Sequence, residues 1–149
     1  MLKESLKSLL IRDLNKVKFE IEQYQNEKNI WKTENSISNS AGNLSLHLVG
    51  NLNTFIGAEL GKSGYIRNRE LEFSLKDIPR SELIRQIEDA IKVVGNSIDQ
   101  LTEQELENNY PEVKVLEHDK SVKYMLIYLS SHLAYHLGQI NYHRRLLDI

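Results

Sequence analysis

The sequence contains no cysteine. This absence excludes disulfide bonds, thiolate metal ligands, iron–sulfur clusters and cysteine nucleophiles. Proline and glycine are also scarce, with two and seven residues in a chain of 149, which disfavours a β fold rich in tight turns. Any site chemistry must therefore come from histidine, carboxylate, tyrosine and other oxygen-bearing side chains.

A surplus of either charge is lacking as well. The 19 lysine and arginine residues nearly balance the 21 aspartate and glutamate residues, so the formal net charge is −2. Broad electrostatic binding to nucleic acid or to an anionic membrane needs a basic surface, and we expect neither partner. No run approaches the roughly 18 apolar residues that span a membrane, and no segment resembles a secretory signal. The expected location is cytoplasmic.

What the sequence does contain is helical periodicity. The 149 residues suit a single domain over residues 1–149. Apolar residues recur every three or four positions in four segments, at about 2–27, 39–60, 80–100 and 120–147. Asp119 is the predicted N-cap of the last segment. The sequence thus predicts an all-α fold, a four-helix bundle, with the extended connection from Gly61 to Ile78 forming a long crossover between helices 2 and 3.

Two histidines lie four residues apart on the apolar stripe of the fourth predicted helix. His132 and His136 therefore project from one face in adjacent turns, a common way for a helix to offer two imidazoles to one metal ion. His47 lies on the apolar stripe of the second helix. Together the three residues match the three-nitrogen ligand set of a catalytic zinc-type site with one open position.

A different interpretation of these histidines stays open at this stage. An interior histidine can instead be a core residue whose ring is hydrogen-bonded to a backbone carbonyl. Periodicity alone does not show that the second and fourth helices bring their histidines to the same depth. The sequence has no HExxH motif, because Leu133 stands where that motif has its glutamate, so a zinc-protease mechanism is not supported.

Other polar residues have more than one interpretation. Arg67 and Arg69 could bind an anionic substrate group, or they could lie in a solvated loop or pair with Glu70 and Glu72. Gln139, three residues after His136, could support a metal ligand through a hydrogen bond or simply pack against its neighbours.

Three other residues are predicted to lie outside the chemistry. His118 is expected in an exposed polar loop, and His143 is expected at the periphery near the end of the fourth helix. Trp31, the only tryptophan, is expected to cap the bundle, with the wall of a pocket as the alternative.

The chain resembles the DinB-like superfamily of metal-binding four-helix bundles. The resemblance rests on NLSLHLVGNL at 43–52, on RNRELEF at 67–73 and on HLAYHLGQINYHRRLL at 132–147. Its most specific element is the HxxxHxGQ pattern formed by His132, His136, Gly138 and Gln139. The similarity covers nearly the whole chain and implies a bundle with a long crossover between its second and third helices.

The resemblance also implies a cofactor and a function. Members hold a divalent metal, usually zinc or nickel, through three residues whose positions here are His47, His132 and His136. Some members are transferases or isomerases that use a low-molecular-weight thiol such as bacillithiol, mycothiol or glutathione, and members commonly form homodimers. We therefore expect a metal-dependent enzyme acting on a small molecule, either a thiol S-transferase or a hydrolase. The alternative is a non-catalytic dimeric bundle that serves as a stress-response or small-ligand-binding module.

Overall fold

The structure is a computed structural model that describes residues 1–111 and 114–149. Its regular elements are helical, and the part of the chain it describes contains two isolated β-bridges but no strand. The α-helices are α1 (Leu2–Gln23), α2 (Ala41–Leu52), α3 (Arg69–Ser74), α4 (Arg80–Asp99) and α5 (Val122–Leu147). Two 3₁₀ turns (Glu27–Trp31 and Glu105–Glu107) and a π-helical extension of α2 (Asn53–Ala58) complete the set. The all-α prediction is confirmed, with five α-helices in place of the four expected.

The packing of the four longer helices decides which side chains can meet. α1 packs against α4 and α5, and α2 also packs against both, whereas α1 and α2 touch at few points. The apolar stripes predicted from the sequence form one buried core, in which Leu10, Leu14, Ile87 and Leu129 are fully buried. Each such side chain contributes about 1.5–3 kcal/mol through burial. Because α2 and α5 are neighbours, histidines on these two helices can share a site.

Two predicted helix boundaries differ from the structure. α1 ends at Gln23 rather than near Glu27, because Tyr24 takes an extended conformation. α5 begins after Ser121, whose hydroxyl accepts a hydrogen bond from the Tyr124 backbone N–H at 3.2 Å. The prediction that Asp119 is the N-cap is wrong, since its carboxylate instead accepts from the Ser121 backbone N–H at 2.9 Å. Capping thus begins two residues later than the sequence suggested.

The sequence predicted an extended connection between α2 and α4. The structure instead shows that this connection contains the short helix α3. The Asn68 side chain caps α3 by accepting from the Leu71 backbone N–H at 3.3 Å. α3 packs against α2. The buried amide of Asn43 holds the end of α3 there by donating to the backbone carbonyls of Glu72 and Leu75, each at 2.9 Å. These two hydrogen bonds fix the position of the Glu72 backbone and so the point from which its side chain reaches His47.

All twelve residues of α2 are buried, and close packing around it depends on its glycines. A Cβ atom at Gly42 would lie 2.6 Å from two ring carbons of Trp31. Trp31 is 8% exposed, and its ring packs against the first turn of α2 in the space that Gly42 leaves. In the described part of the chain, no helix combines the length and the apolar character required to cross a lipid bilayer.

A pair of glycine substitutions tests this packing. We expect Gly42→Ala to lower the free energy of unfolding by about 1–3 kcal/mol, because the new methyl group overlaps the Trp31 ring. Gly138→Ala is the matched control: it lies within α5 and a Cβ there meets nothing within 4 Å, so we expect it to stabilise by about 0.5–1 kcal/mol. Urea unfolding followed by Trp31 fluorescence measures both. Equal stabilisation by the two variants would contradict the described packing.

Candidate metal centre

Three histidine side chains from two helices meet at one point. His47 comes from α2, and His132 and His136 come from successive turns of α5. The Nε2 atom of His132 lies 3.3 Å from Nε2 of His47 and 3.1 Å from Nε2 of His136. One ligand atom from each residue lies within 4.8 Å of the others, so this group could hold a metal ion. The two helices therefore present their histidines at the same depth in the bundle, a point that periodicity left open.

The orientation of His47 is set by a buried carboxylate. Oε1 of Glu72 lies 3.0 Å from Nδ1 of His47, and Glu72 is only 6% exposed. A carboxylate only accepts hydrogen bonds, so Nδ1 of His47 carries the proton and its Nε2 presents a lone pair. No local pattern in the sequence indicates this role of Glu72 at the histidines.

Arg67 compensates the charge of that carboxylate. Its Nε donates to Oε2 of Glu72 at 2.8 Å, and its Nη2 donates to Oε1 at 2.9 Å. This two-point pairing is the geometry in which a guanidinium holds a carboxylate most firmly. The ion-pair interpretation therefore holds for Arg67, whereas the guanidinium of Arg69 lies over the Phe73 ring at 5.1 Å.

Gly50 provides the space for Glu72. It follows His47 by three residues, so both lie on one face of α2. A Cβ atom at Gly50 would lie 1.9 Å from Oε2 of Glu72, so any side chain at this position would force the Glu72 carboxylate to move. The one sequence signal for this contact was a glycine within a helix, which costs about 1 kcal/mol unless packing requires it.

The outer nitrogens of the other two histidines differ. Nδ1 of His136 lies 2.6 Å from Oε1 of Gln139 and donates a hydrogen bond to it. Gln139 thus makes the supporting hydrogen bond that the sequence offered as one of two interpretations. Nδ1 of His132 is buried and has no hydrogen-bond partner among the residues that the structure describes.

Burial keeps two of the three imidazoles neutral. The pKa of His132 is lowered to about 4, first by burial and then by the neighbouring His136, His47 and Arg67. Burial also lowers the pKa of His47, although its hydrogen bond to Glu72 opposes that shift. Neutral imidazoles are the form that ligates metals, so at neutral pH these two rings need not lose a proton to bind one.

The nitrogen spacing fits a metal ion. Zinc–nitrogen bonds of 2.0–2.1 Å at tetrahedral angles place neighbouring ligand nitrogens roughly 3.3–3.4 Å apart. The two Nε2 separations of 3.3 and 3.1 Å lie close to this value. In His47 and His136 the proton sits on Nδ1, so their Nε2 lone pairs both point toward His132. A shared cation could accept these lone pairs together with that of His132, and three nitrogens would leave a fourth position for another ligand.

Comparison with known proteins places the chain in a family. A family model described as "Protein of unknown function (DUF1572)" matches residues 4–148. The chain belongs to the DUF1572 family. No curated protein and no solved structure matches it.

The two remaining histidines of this DUF1572 chain lie outside the cluster. His118 is exposed, as predicted. The prediction that His143 lies at the periphery is wrong, because this residue is only 3% exposed. Its Nε2 donates to the Lys32 carbonyl at 2.7 Å, so its Nδ1 accepts from the Tyr24 hydroxyl at 2.6 Å. Burial lowers the pKa of His143. His143 therefore joins α5 to the segment after α1. Its position near the end of a helix gave no sign of this contact in the sequence.

Proposed function

We propose that this chain is a DinB-like metalloprotein that binds one divalent ion through Nε2 of His47, His132 and His136. The observation that carries the proposal is the convergence of these nitrogens, with Nε2 of His132 lying 3.3 and 3.1 Å from Nε2 of the other two. Two of the three rings have their outer nitrogens held by Glu72 and Gln139. Such outer hydrogen bonds orient metal-binding histidines. Three imidazoles suit zinc or nickel, and the ligand set contains no carboxylate.

The proposed activity is S-transfer from a low-molecular-weight thiol to a small electrophile. When bound, the ion supplies Lewis-acid chemistry that lowers the pKa of a thiol or water at its open position. The protein has no cysteine, so the thiol must arrive as a co-substrate. The transfer forms a sulfur–carbon bond, breaks the bond to a leaving group that departs with its electron pair, and releases the thiol proton to solvent. Hydrolysis by water is the variant with the same protein ligands.

The residues of the chain have separable tasks in this proposal. Glu72 and Gln139 hold the rings of His47 and His136, and Arg67 holds Glu72 in its buried position through two hydrogen bonds. The paired charges of Arg67 and Glu72 cancel, so the positive charge of a bound ion would remain available to an anionic nucleophile. The homodimer and the cytoplasmic location stay predictions of the sequence.

Metal content tests the first part of the proposal. We expect the untagged protein, loaded with Zn²⁺ and desalted, to retain about one ion per chain by elemental analysis. His47→Ala and His136→Ala should each lose most of it, because two imidazoles bind far more weakly than three. His118→Ala is the matched control, since that histidine is exposed and outside the cluster. Circular dichroism confirms that each variant is folded. Equal metal in His47→Ala and His118→Ala would contradict the site.

A cobalt-substituted protein tests the role of the thiol. We expect bacillithiol, mycothiol or glutathione to change the visible spectrum of the Co²⁺ protein, because a thiolate is a strong ligand for the open position. The His136→Ala protein, treated in the same way, should show no such change. An unchanged spectrum with all three thiols would contradict the transferase and favour the hydrolase or the non-catalytic small-ligand-binding module.

A further inference from the structure

A cavity of about 480 Å³ adjoins the histidine cluster. Its volume lies within the range of about 300–1,000 Å³ that is typical of small-molecule sites. His136 and Gln139 form part of its wall, and the segment 36–39 lines it as well. A molecule in this cavity would therefore lie beside one corner of the proposed metal site.

The wall of the cavity lacks formal charge. Although 27% of the residues in the chain are charged, no aspartate, glutamate, lysine or arginine lines the cavity in the part of the molecule that the structure describes. His143 also lines it, and both of its ring nitrogens are already engaged by Tyr24 and Lys32. The guanidinium of Arg145 lies over the Tyr142 ring, 5.1 Å from its centroid, but does not line the cavity. The described wall itself therefore offers a charged ligand no counterion.

The remaining wall is apolar with scattered neutral polar groups. Leu44, Tyr135, Tyr142 and Leu146 supply the apolar and aromatic surface. Serine hydroxyls and amides from the segment 36–39 can donate hydrogen bonds, and so can the amide nitrogen of Gln139, whose oxygen is occupied by His136. A neutral molecule gains contacts from such a wall, whereas an ionised group placed against it loses hydration without gaining a charged partner.

We propose that this cavity binds an uncharged, largely apolar small molecule that carries a hydrogen-bond acceptor. Its role as the electrophile of the S-transfer rests on the proposed function. Thiols such as glutathione carry carboxylates, which this wall leaves unpaired. The neutral electrophile and the charged thiol would therefore approach the histidine cluster by different routes.

Two fluorescent probes with one ring skeleton test the charge preference. N-phenyl-1-naphthylamine is neutral, and 8-anilino-1-naphthalenesulfonate adds a sulfonate to the same skeleton. We expect the neutral probe to bind with a dissociation constant at least about tenfold lower, because the sulfonate would be desolvated without a partner. Equal or tighter binding of the sulfonate would overturn the proposal.

Substitutions in the wall locate the binding. Tyr142→Ala should weaken the neutral probe about tenfold, because it removes an aromatic wall. Tyr124→Ala is the matched control: it is also an exposed tyrosine of α5, but it lies outside the cavity. Leu146→Lys should shift the preference toward the sulfonate by supplying a counterion. Identical effects of Tyr142→Ala and Tyr124→Ala would place the probe elsewhere and overturn the assignment.

Titrations in chelator-treated and in Zn²⁺-loaded protein separate this proposal from the metal site. One outcome is that the protein takes up no metal but still prefers the neutral probe in a way that depends on Tyr142. This result would support the binding site and overturn its role beside an ion. A loaded protein that prefers the sulfonate regardless of Tyr142 would overturn the neutral cavity while leaving the metal site supported.

Discussion

The buried ion pair between Glu72 and Arg67 is the constraint on which the histidine cluster depends. A carboxylate that is 6% exposed would cost several kcal/mol if it were left without a partner. Arg67 donates hydrogen bonds to both oxygens of Glu72, and Oε1 also accepts a hydrogen bond from Nδ1 of His47. The three residues therefore form one unit, in which the direction of the His47 ring follows from the position of the carboxylate.

Several features of the fold maintain this unit. Asn43 ties the end of α3 to α2 through two backbone carbonyls, and Gly50 leaves room for the carboxylate against α2. Contact of α2 with α5 then brings His47 to His132 and His136. The outcome is a cluster of three imidazoles, two of which burial keeps neutral, beside a cavity that no described aspartate, glutamate, lysine or arginine lines. In the proposed function, the ion would attract the nucleophile, while the cavity would select a neutral electrophile.

The sequence predicted the parts of this arrangement that have a local signal. The three-and-four spacing marked the long helices, and the four-residue spacing of His132 and His136 placed both rings on one face. Helix α3 was missed because six residues are too few for a periodic pattern. The partnership of Glu72 with His47 joins residues 25 apart and depends on a crossover path that no local pattern encodes. The burial of His143 likewise depends on Tyr24, which lies 119 residues away.

In this account the buried carboxylate orients His47 for metal binding. The most direct test compares the Zn²⁺ affinity of the Glu72→Gln variant with that of the unaltered protein. The substitution keeps the shape of the side chain but removes the charge that Arg67 holds. We predict an affinity about 10–100-fold weaker, as is typical when an outer partner of a metal ligand is lost. Glu70→Gln is the control, because Glu70 lies on the same short helix and is exposed. Indistinguishable affinities for the two variants would contradict the account.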